Sequence, residues 1–462
     1  MKFFAKTFTK LFSAALCFLL VESAVAQYNT NSVYSRFGLG LRDNSGNVVH
    51  FGMGGITSPL SDPISLNLAN PASYSFLEVT NLQTTIKGSN TQTLSGTSTS
   101  NHFNGQVHEL SMGFKKPNTK WALAFGITPY SSVDYRFSSK DSLSDTLTAS
   151  YNYSGRGGIN KATIGFSRLF RFGEGSAADS VQRRLHQVSI GINGNYLFGN
   201  ITRENVVAFS QSEHFTTVEN LNLWVKGIVW EAGLQYKVNL TTRRDPQNRV
   251  LGGSAIQFGV TYSLNTPLYA EYTDLLYSIR FGTNSAYRDT ARFLDALNGR
   301  LILPQKIQAG VAYKLFNKKW GTFVVAGEYK IQDWSKYRLE MDEDVNLDNG
   351  LNASSGWAAG IEYKPTTDAS NNFFNRLYYR AGYRSLQSEL TINNTRIDQQ
   401  ATTAGLTIPM IRSQSKLHLG VEWGTRGTKD AGLVREDYLG FMVGFSLSPS
   451  AFDRWFRQVK YD

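Results

Sequence analysis

Six histidines (His50, His102, His108, His186, His214 and His418) and a single cysteine, Cys17, are the side chains best suited to nucleophilic or metal chemistry. No two histidines form the H-E-x-x-H pair that holds zinc from one helical face, and the chain has neither a P-loop nor a G-x-S-x-G nucleophile elbow. His108 and Glu109 are adjacent, but successive strand residues point to opposite faces, so this pair is expected to stand apart. Gly38-x-Gly40 is two-thirds of a dinucleotide fingerprint without its strand–helix setting. His418 alternates onto a polar face and reads as an interior residue. No catalytic residue, cofactor or metal ligand is therefore expected. The one enzymatic alternative is a phospholipase-type site using a lone serine and histidine.

The elements that would position these groups begin with a leader. Lys2, Lys6 and Lys10 precede a short apolar run through Val21, and Ala24-Val25-Ala26 ends it, which is the pattern of a secretory signal over residues 1–26. Its three lysines and one glutamate take the formal charge from +11 to +9 in the mature chain. Leu16 before Cys17 argues against a lipoprotein site, so the mature chain should hold no cysteine and form no disulfide. Aromatics make up 13% of the 462 residues, with 23 Tyr, 29 Phe and 41 Gly against only 18% charged residues. Beyond the leader no apolar run approaches the ~20 residues of a spanning helix. An exported, Tyr/Phe/Gly-rich chain of this kind points to the outer membrane and to an all-β transmembrane antiparallel β-barrel.

Period-2 alternation supports that reading, because a barrel strand shows lipid and lumen in turn. Ile256, Phe258, Val260 and Tyr262 alternate with Gln257, Gly259, Thr261 and Ser263, and Leu439, Phe441, Val443, Phe445 and Leu447 alternate with Gly440, Met442, Gly444 and Ser446. About fourteen such runs begin near residues 79, 105, 119, 155, 187, 219, 253, 304, 321, 356, 376, 396, 416 and 436. An even number returns the chain to the side on which it started. Trp121, Trp230, Trp320, Trp334, Trp357 and Trp423 fall near run ends, where interfacial girdles belong. The long connections 136–154, 200–218, 266–303 and 335–355 are expected outside, and the stripe Ala286, Phe293 and Leu297 predicts a short surface helix over 286–297.

Four regions follow: a signal peptide (1–26), an N-terminal hatch or plug (27–78), the barrel (79–448) and a periplasmic tail (449–462). The plug region is rich in Gly, Pro, Asn and Ser, yet Phe37, Leu39, Phe51, Met53, Ile56, Leu60, Ile64, Leu66 and Leu68 are too apolar for a solvated tail, so it should fold inside the lumen. Basic residues such as Lys115, Lys116, Lys120, Arg243, Arg244, Lys318 and Lys319 are scattered over inner turns. That pattern suits outer-membrane lipids or an acidic partner and does not suit nucleic acid. The tail motif Phe452-Asp-Arg-Trp455-Phe456-Arg457 suits the inner membrane–water interface.

Several motifs in order resemble the FadL/TodX family of outer-membrane channels for long-chain fatty acids and aromatic hydrocarbons. Gly54-Gly55, Asp62 and Asn70-Pro71-Ala72 are similar to that family's hatch signature. Leu303-Pro304, then Gly310 to Tyr313, Glu328-Tyr329, Asp333 to Tyr337 and Arg380 to Tyr383 are similar to its middle region. The resemblance implies fourteen strands, an N-terminal hatch and diffusion of apolar ligands through a lateral gap. It also implies that the gap lies in the third strand, where Gly126 and Pro129 are the candidate kink residues, because proline donates no ladder bond; the alternative is that Pro129 sits at the outer rim, where the strand leaves the membrane and a lost bond is harmless. No ligand-binding residue carries over. Asn31 to Gly40, Gly424 to Gly427, Glu436 to Tyr438 and the tail depart from the family pattern.

Two functions follow. The leading expectation is passive uptake of hydrophobic small molecules with lateral release, which requires an apolar lumen pocket continuous with a wall opening. The alternative is an accessory subunit of an outer-membrane protein secretion or assembly complex, which requires a filled lumen and a surface patch too large and apolar for a lipid-facing girdle alone.

Overall fold

The computed structural model describes residues 32–448 except 44–45, 97, 117, 174–184, 212, 245–249, 282–285, 342–345, 348–349, 366–371 and 411–413. The expected leader, Cys17 and the aromatic tail lie outside the described residues.

The N-terminal stretch carries a 3-10 turn (Val33–Arg36), the two-residue strand β1 (Leu41–Arg42), the one-turn helix α1 (Val48–Phe51) and a second 3-10 turn (Pro71–Phe76). Then come β2 (Asn81–Ser95), β3 (Ser98–Phe114), β4 (Trp121–Ser142), β5 (Thr148–Phe172), β6 (His186–Phe209), β7 (Thr216–Arg244), β8 (Val250–Ser263), β9 (Thr266–Phe281) and β10 (Ala286–Leu303). The rest are β11 (Lys306–Asn317), β12 (Gly321–Asp333), β13 (Arg338–Met341), β14 (Asn346–Leu347), β15 (Ala353–Lys364), β16 (Tyr378–Ile392), β17 (Thr395–Pro409), β18 (Lys416–Gly427) and β19 (Arg435–Leu447).

Fourteen antiparallel strands make the wall: β2 to β8, β11, β12 and β15 to β19. It closes where β19 pairs with β2, from Arg435 opposite Leu94 to Leu447 opposite Leu82. All fourteen expected runs are present. Their outward residues form the lipid-facing band, including Ile86, Phe125, Ile164, Ile190, Leu234, Phe258, Val325, Ile361 and Phe441, all exposed. Among the described residues no helix is long and apolar enough to cross a membrane.

The connections differ from expectation. β4 to β7 have 22, 25, 24 and 29 residues, so most of 136–154 and 200–218 is ladder and not loop. At ~3.3 Å per residue and ~40° tilt, a strand like β5 rises roughly 60 Å, about twice the apolar band. Its outer face turns polar above the band, with Arg156 and Asn152 exposed, so the extension stands in water. The expected helix over 286–297 is also overturned, since this segment is part of β10 and pairs with β9 from Ala286–Phe281 to Leu303–Thr266. Bulges between Thr290 and Arg292 and between Leu294 and Leu297 shift the alternation and leave a spacing that looks helical, while the edge of β9 satisfies the backbone.

Three neighbouring wall strands break at one level. β8 passes into β9 at Leu264-Asn265, β10 into β11 at Pro304-Gln305, and β12 into β13 through a 3-10 turn, Trp334–Lys336. Pro304 lacks the N–H that a continuous ladder would need. Above the break, inward side chains meet in an apolar layer that includes Val133, Ile159, Leu197, Ile201, Leu268, Leu301 and Leu339, with Tyr34 and Leu39 of the N-terminal stretch packed into it. Trp334 belongs to this layer and is buried, which corrects its expected place in a girdle. Trp121, Trp230, Trp320, Trp357 and Trp423 do face outward.

Candidate functional site: the plugged lumen and the split in its wall

Below the apolar layer the N-terminal stretch fills the barrel. Phe51, Met53, Ile56 and Leu66 are wholly buried. Each such burial contributes about 1.5–3 kcal/mol. Polar contacts fix the plug at three heights.

At the lower end, Asn70 caps the turn Pro71–Phe76 by accepting from Ala72 N at 3.0 Å, and its amide donates to Ser58 O at 2.7 Å. Pro71 opens the turn and Ala72 is buried against β6, where Ser189 donates to Ala72 O. Glycines make this seat: a Cβ on Gly233 would stand 2.2 Å from Asn70 Oδ1, and one on Gly191 would stand 2.4 Å from Pro71 C. Lys115 Nζ reaches Ser75 O at 2.8 Å, and burial pulls its pKa down to about 8. Asp62 accepts from Ile64 N and Ser65 N at 2.8 and 2.9 Å and lies 3.4 Å from Lys416 Nζ. Burial alone would raise the Asp62 pKa, but Lys416, the two amides and Arg380 together hold the carboxyl well below the usual range.

In the middle, Glu328 of β12 receives Thr57 N at 2.8 Å and Ser58 N at 2.6 Å. Gly54 and Gly55 have φ of +74° and +83°, which suits glycine alone, and a Cβ on Gly54 would meet Tyr383 O at 2.8 Å. Gly54 N donates to Thr403 Oγ1. His50 is buried beside this region, and burial, followed by Arg380, lowers its pKa to about 3.

At the upper end, Ser32 Oγ donates to Glu436 at 2.7 Å, Arg426 Nη1 pairs with the same carboxylate at 2.8 Å, and Tyr34 OH donates to Val434 O. Ser32, Tyr34, Arg426 and Glu436 come from the very segments that depart from the channel pattern, so the departures pack against one another. Between the middle and upper levels lies a cavity of about 160 Å³ whose charged lining is largely paired, as in Lys87–Asp43 (2.6 Å), Arg42–Glu389 (2.5 Å) and Arg384–Glu422 (2.5 Å).

His108 and Glu109 do not stand on opposite faces. Thr85 pairs with Glu109 and Ile86 with Val107, so His108 is the extra residue of a bulge and both side chains turn inward. His108 Nε2 donates to Gly46 O at 2.8 Å, and Glu109 accepts from Ser111. His418 is an interior residue, bonded to Thr407 and Ser446 between the wall and the plug. This histidine–serine contact has a threonine where a triad would place a carboxylate, and both groups are buried.

The wall splits between β3 and β4. They pair only over Leu110–Phe114 and Leu123–Ile127. Gly126 lies just below the split, where a Cβ would stand 2.4 Å from Leu68 Cδ1, so this small residue leaves room for the plug. Pro129 lies at the split, followed by a bulge at Tyr130 in the pairing with β5. Asn104 and Gln106 of β3 and Ser132 of β4 line the cavity, which therefore reaches the split.

The solved structures of similar fold include the CymD monoaromatic hydrocarbon channel, with TM-score 0.51 and 13% identity over 89% of this chain and 98% of that one. They also include the Ralstonia pickettii toluene transporter TbuX, with TM-score 0.54 and 12% identity over 88% and 99%. At such identities the likeness is one of fold, that of the outer-membrane FadL-type barrels. No curated protein matches the sequence. The family model described as BamG matches residues 8–462, nearly the whole chain, and the protein belongs to the BamG family.

Proposed function

We propose that this barrel is a non-enzymatic accessory subunit of an outer-membrane protein secretion or assembly complex. The observation that carries the reading is the lumen, filled by a plug held at three heights and covered by an apolar layer. The cavity between the middle and upper levels is about 160 Å³ and its charged lining is largely ion-paired, and further cavities of about 90 Å³ beside His50 and Asp62 and about 170 Å³ beside Arg36 and Tyr135 are separate from it. Sites for small apolar ligands run to roughly 300–1,000 Å³ and are mostly apolar. The tall, polar-faced wall of β4 to β7 offers a rigid surface for a protein outside the membrane. The test is purification from native outer membranes in mild detergent. A stoichiometric protein partner supports the reading, and a barrel that purifies alone while mediating uptake of apolar solutes overturns it.

One observation favours a second reading, passive uptake of hydrophobic small molecules with lateral release: the split at Pro129 meets the lumen cavity. On that reading a deletion strain takes up a radiolabelled apolar solute more slowly, and plugging the split abolishes the difference.

A further inference from the structure

Above Leu110 and Ile127, among the described residues, no ladder joins β3 to β4, although β3 stays paired to β2 as far as Ser98 and β4 to β5 as far as Ser142. The plug occupies this edge of β4. Leu41 pairs with Ser132 and Arg42 with Ser131, Asp43 N donates to Tyr130 O at 3.4 Å, and Ser32 N donates to Asp134 O at 3.0 Å. Two features seat β1 there. Gly40 has φ +88°, and a Cβ on it would stand 2.3 Å from Ser132 O, so only glycine allows so close an approach. Arg42 bonds Gln332 at 2.9 Å and Glu389 at 2.5 Å, with its guanidinium 3.9 Å from the Trp334 ring centre.

The two free edges can be brought into one register. β3 has its extra residue at His108 and β4 at Tyr130, one on each side of the split. Continuing the register of Leu110 with Ile127 sets Gln106 opposite Ser131 and Asn104 opposite Val133, all facing the lumen. Outward, Val107 and Phe103 are 52% and 67% exposed, so the open edge of β3 lies at the depth of the lipid band. Unpaired backbone groups are costly at that depth.

We propose that β1 is a removable wedge: it takes the edge of β4 that β3 would otherwise use, and its withdrawal lets β3 pair with β4 and close the wall. Gly40 is the residue that lets the wedge in. The inference goes beyond the accessory reading and does not depend on it, because its test reads the wall and not a partner.

The test uses the full-length protein carrying Gln106→Cys and Ser131→Cys. With Gly40 and Arg42 intact, Arg42 lies opposite position 131 and mild oxidation should give little cross-link. Adding Gly40→Val, or separately Arg42→Ala, should raise the cross-linked fraction at least severalfold, with the barrel's folding checked by heat-modifiable migration on gels. Equal cross-linking in all three proteins, or none in two folded wedge variants, overturns the proposal.

Discussion

Replacing Glu328 with Ala removes the acceptor for two buried plug amides, Thr57 N and Ser58 N, and the loss can be sized from those contacts. Both plug residues are buried, and a buried hydrogen bond to a charged group is worth about 1.5–3 kcal/mol. Two such bonds give roughly 3–6 kcal/mol, the lower end applying where water enters the vacated space. Local opening around Thr57 and Ser58 should therefore become about 10²- to 10⁴-fold more frequent, at 1.4 kcal/mol per tenfold. Hydrogen exchange with mass spectrometry on peptides spanning 54–60 reads this directly, with wall peptides as the control. Glu328→Gln keeps one acceptor oxygen and should fall between Ala and the parent. Unchanged exchange over 54–60 in a folded Glu328→Ala barrel would refute the idea that this carboxylate seats the plug.

Acid should loosen the plug. His50 stays neutral when folded to a pKa of about 3, so between its ordinary 6.5 and that value the unseated state binds the proton first, and stability falls as pH falls. Asp62, held low by Lys416, the Ile64 and Ser65 amides and Arg380, contributes fully above its ordinary value near 3.8 and loses that contribution progressively as pH falls below it, because the unseated carboxyl protonates first. Protease sensitivity of the plug measured from pH 7 to pH 4 should rise steadily, and His50→Gln should flatten the curve. Gly233→Val collides with Asn70 and Pro71 and should expose the plug to protease while the fourteen-stranded wall still forms. Asn70→Ala loses a turn cap and the bond to Ser58 O, which should cost about 1–2 kcal/mol, read as a lower midpoint for plug release in urea.

Much of the architecture was legible in the chain because lipid and lumen impose opposite demands on alternate residues, so each strand writes its own period of two. Even the strand starts near 321 and 416 coincide with β12 and β18. The plug was legible for a related reason: a segment with Phe51, Met53, Ile56 and Leu66 cannot remain in water. What local pattern could not express is where one strand meets another. The stripe at 286–297 became strand because β9 offered an edge, and His108 turned inward because a bulge against β2 added one residue. Trp334 left the girdle because its strand breaks into the lumen. The clasp of Ser32 with Glu436 and Arg426 joins residues about four hundred positions apart, and the seat of β1 on β4 depends on a glycine whose neighbour is a distant carbonyl. Spacing along a strand is set by the chain itself. Contacts across the lumen exist only once the barrel has closed, and they decide whether it is open or filled.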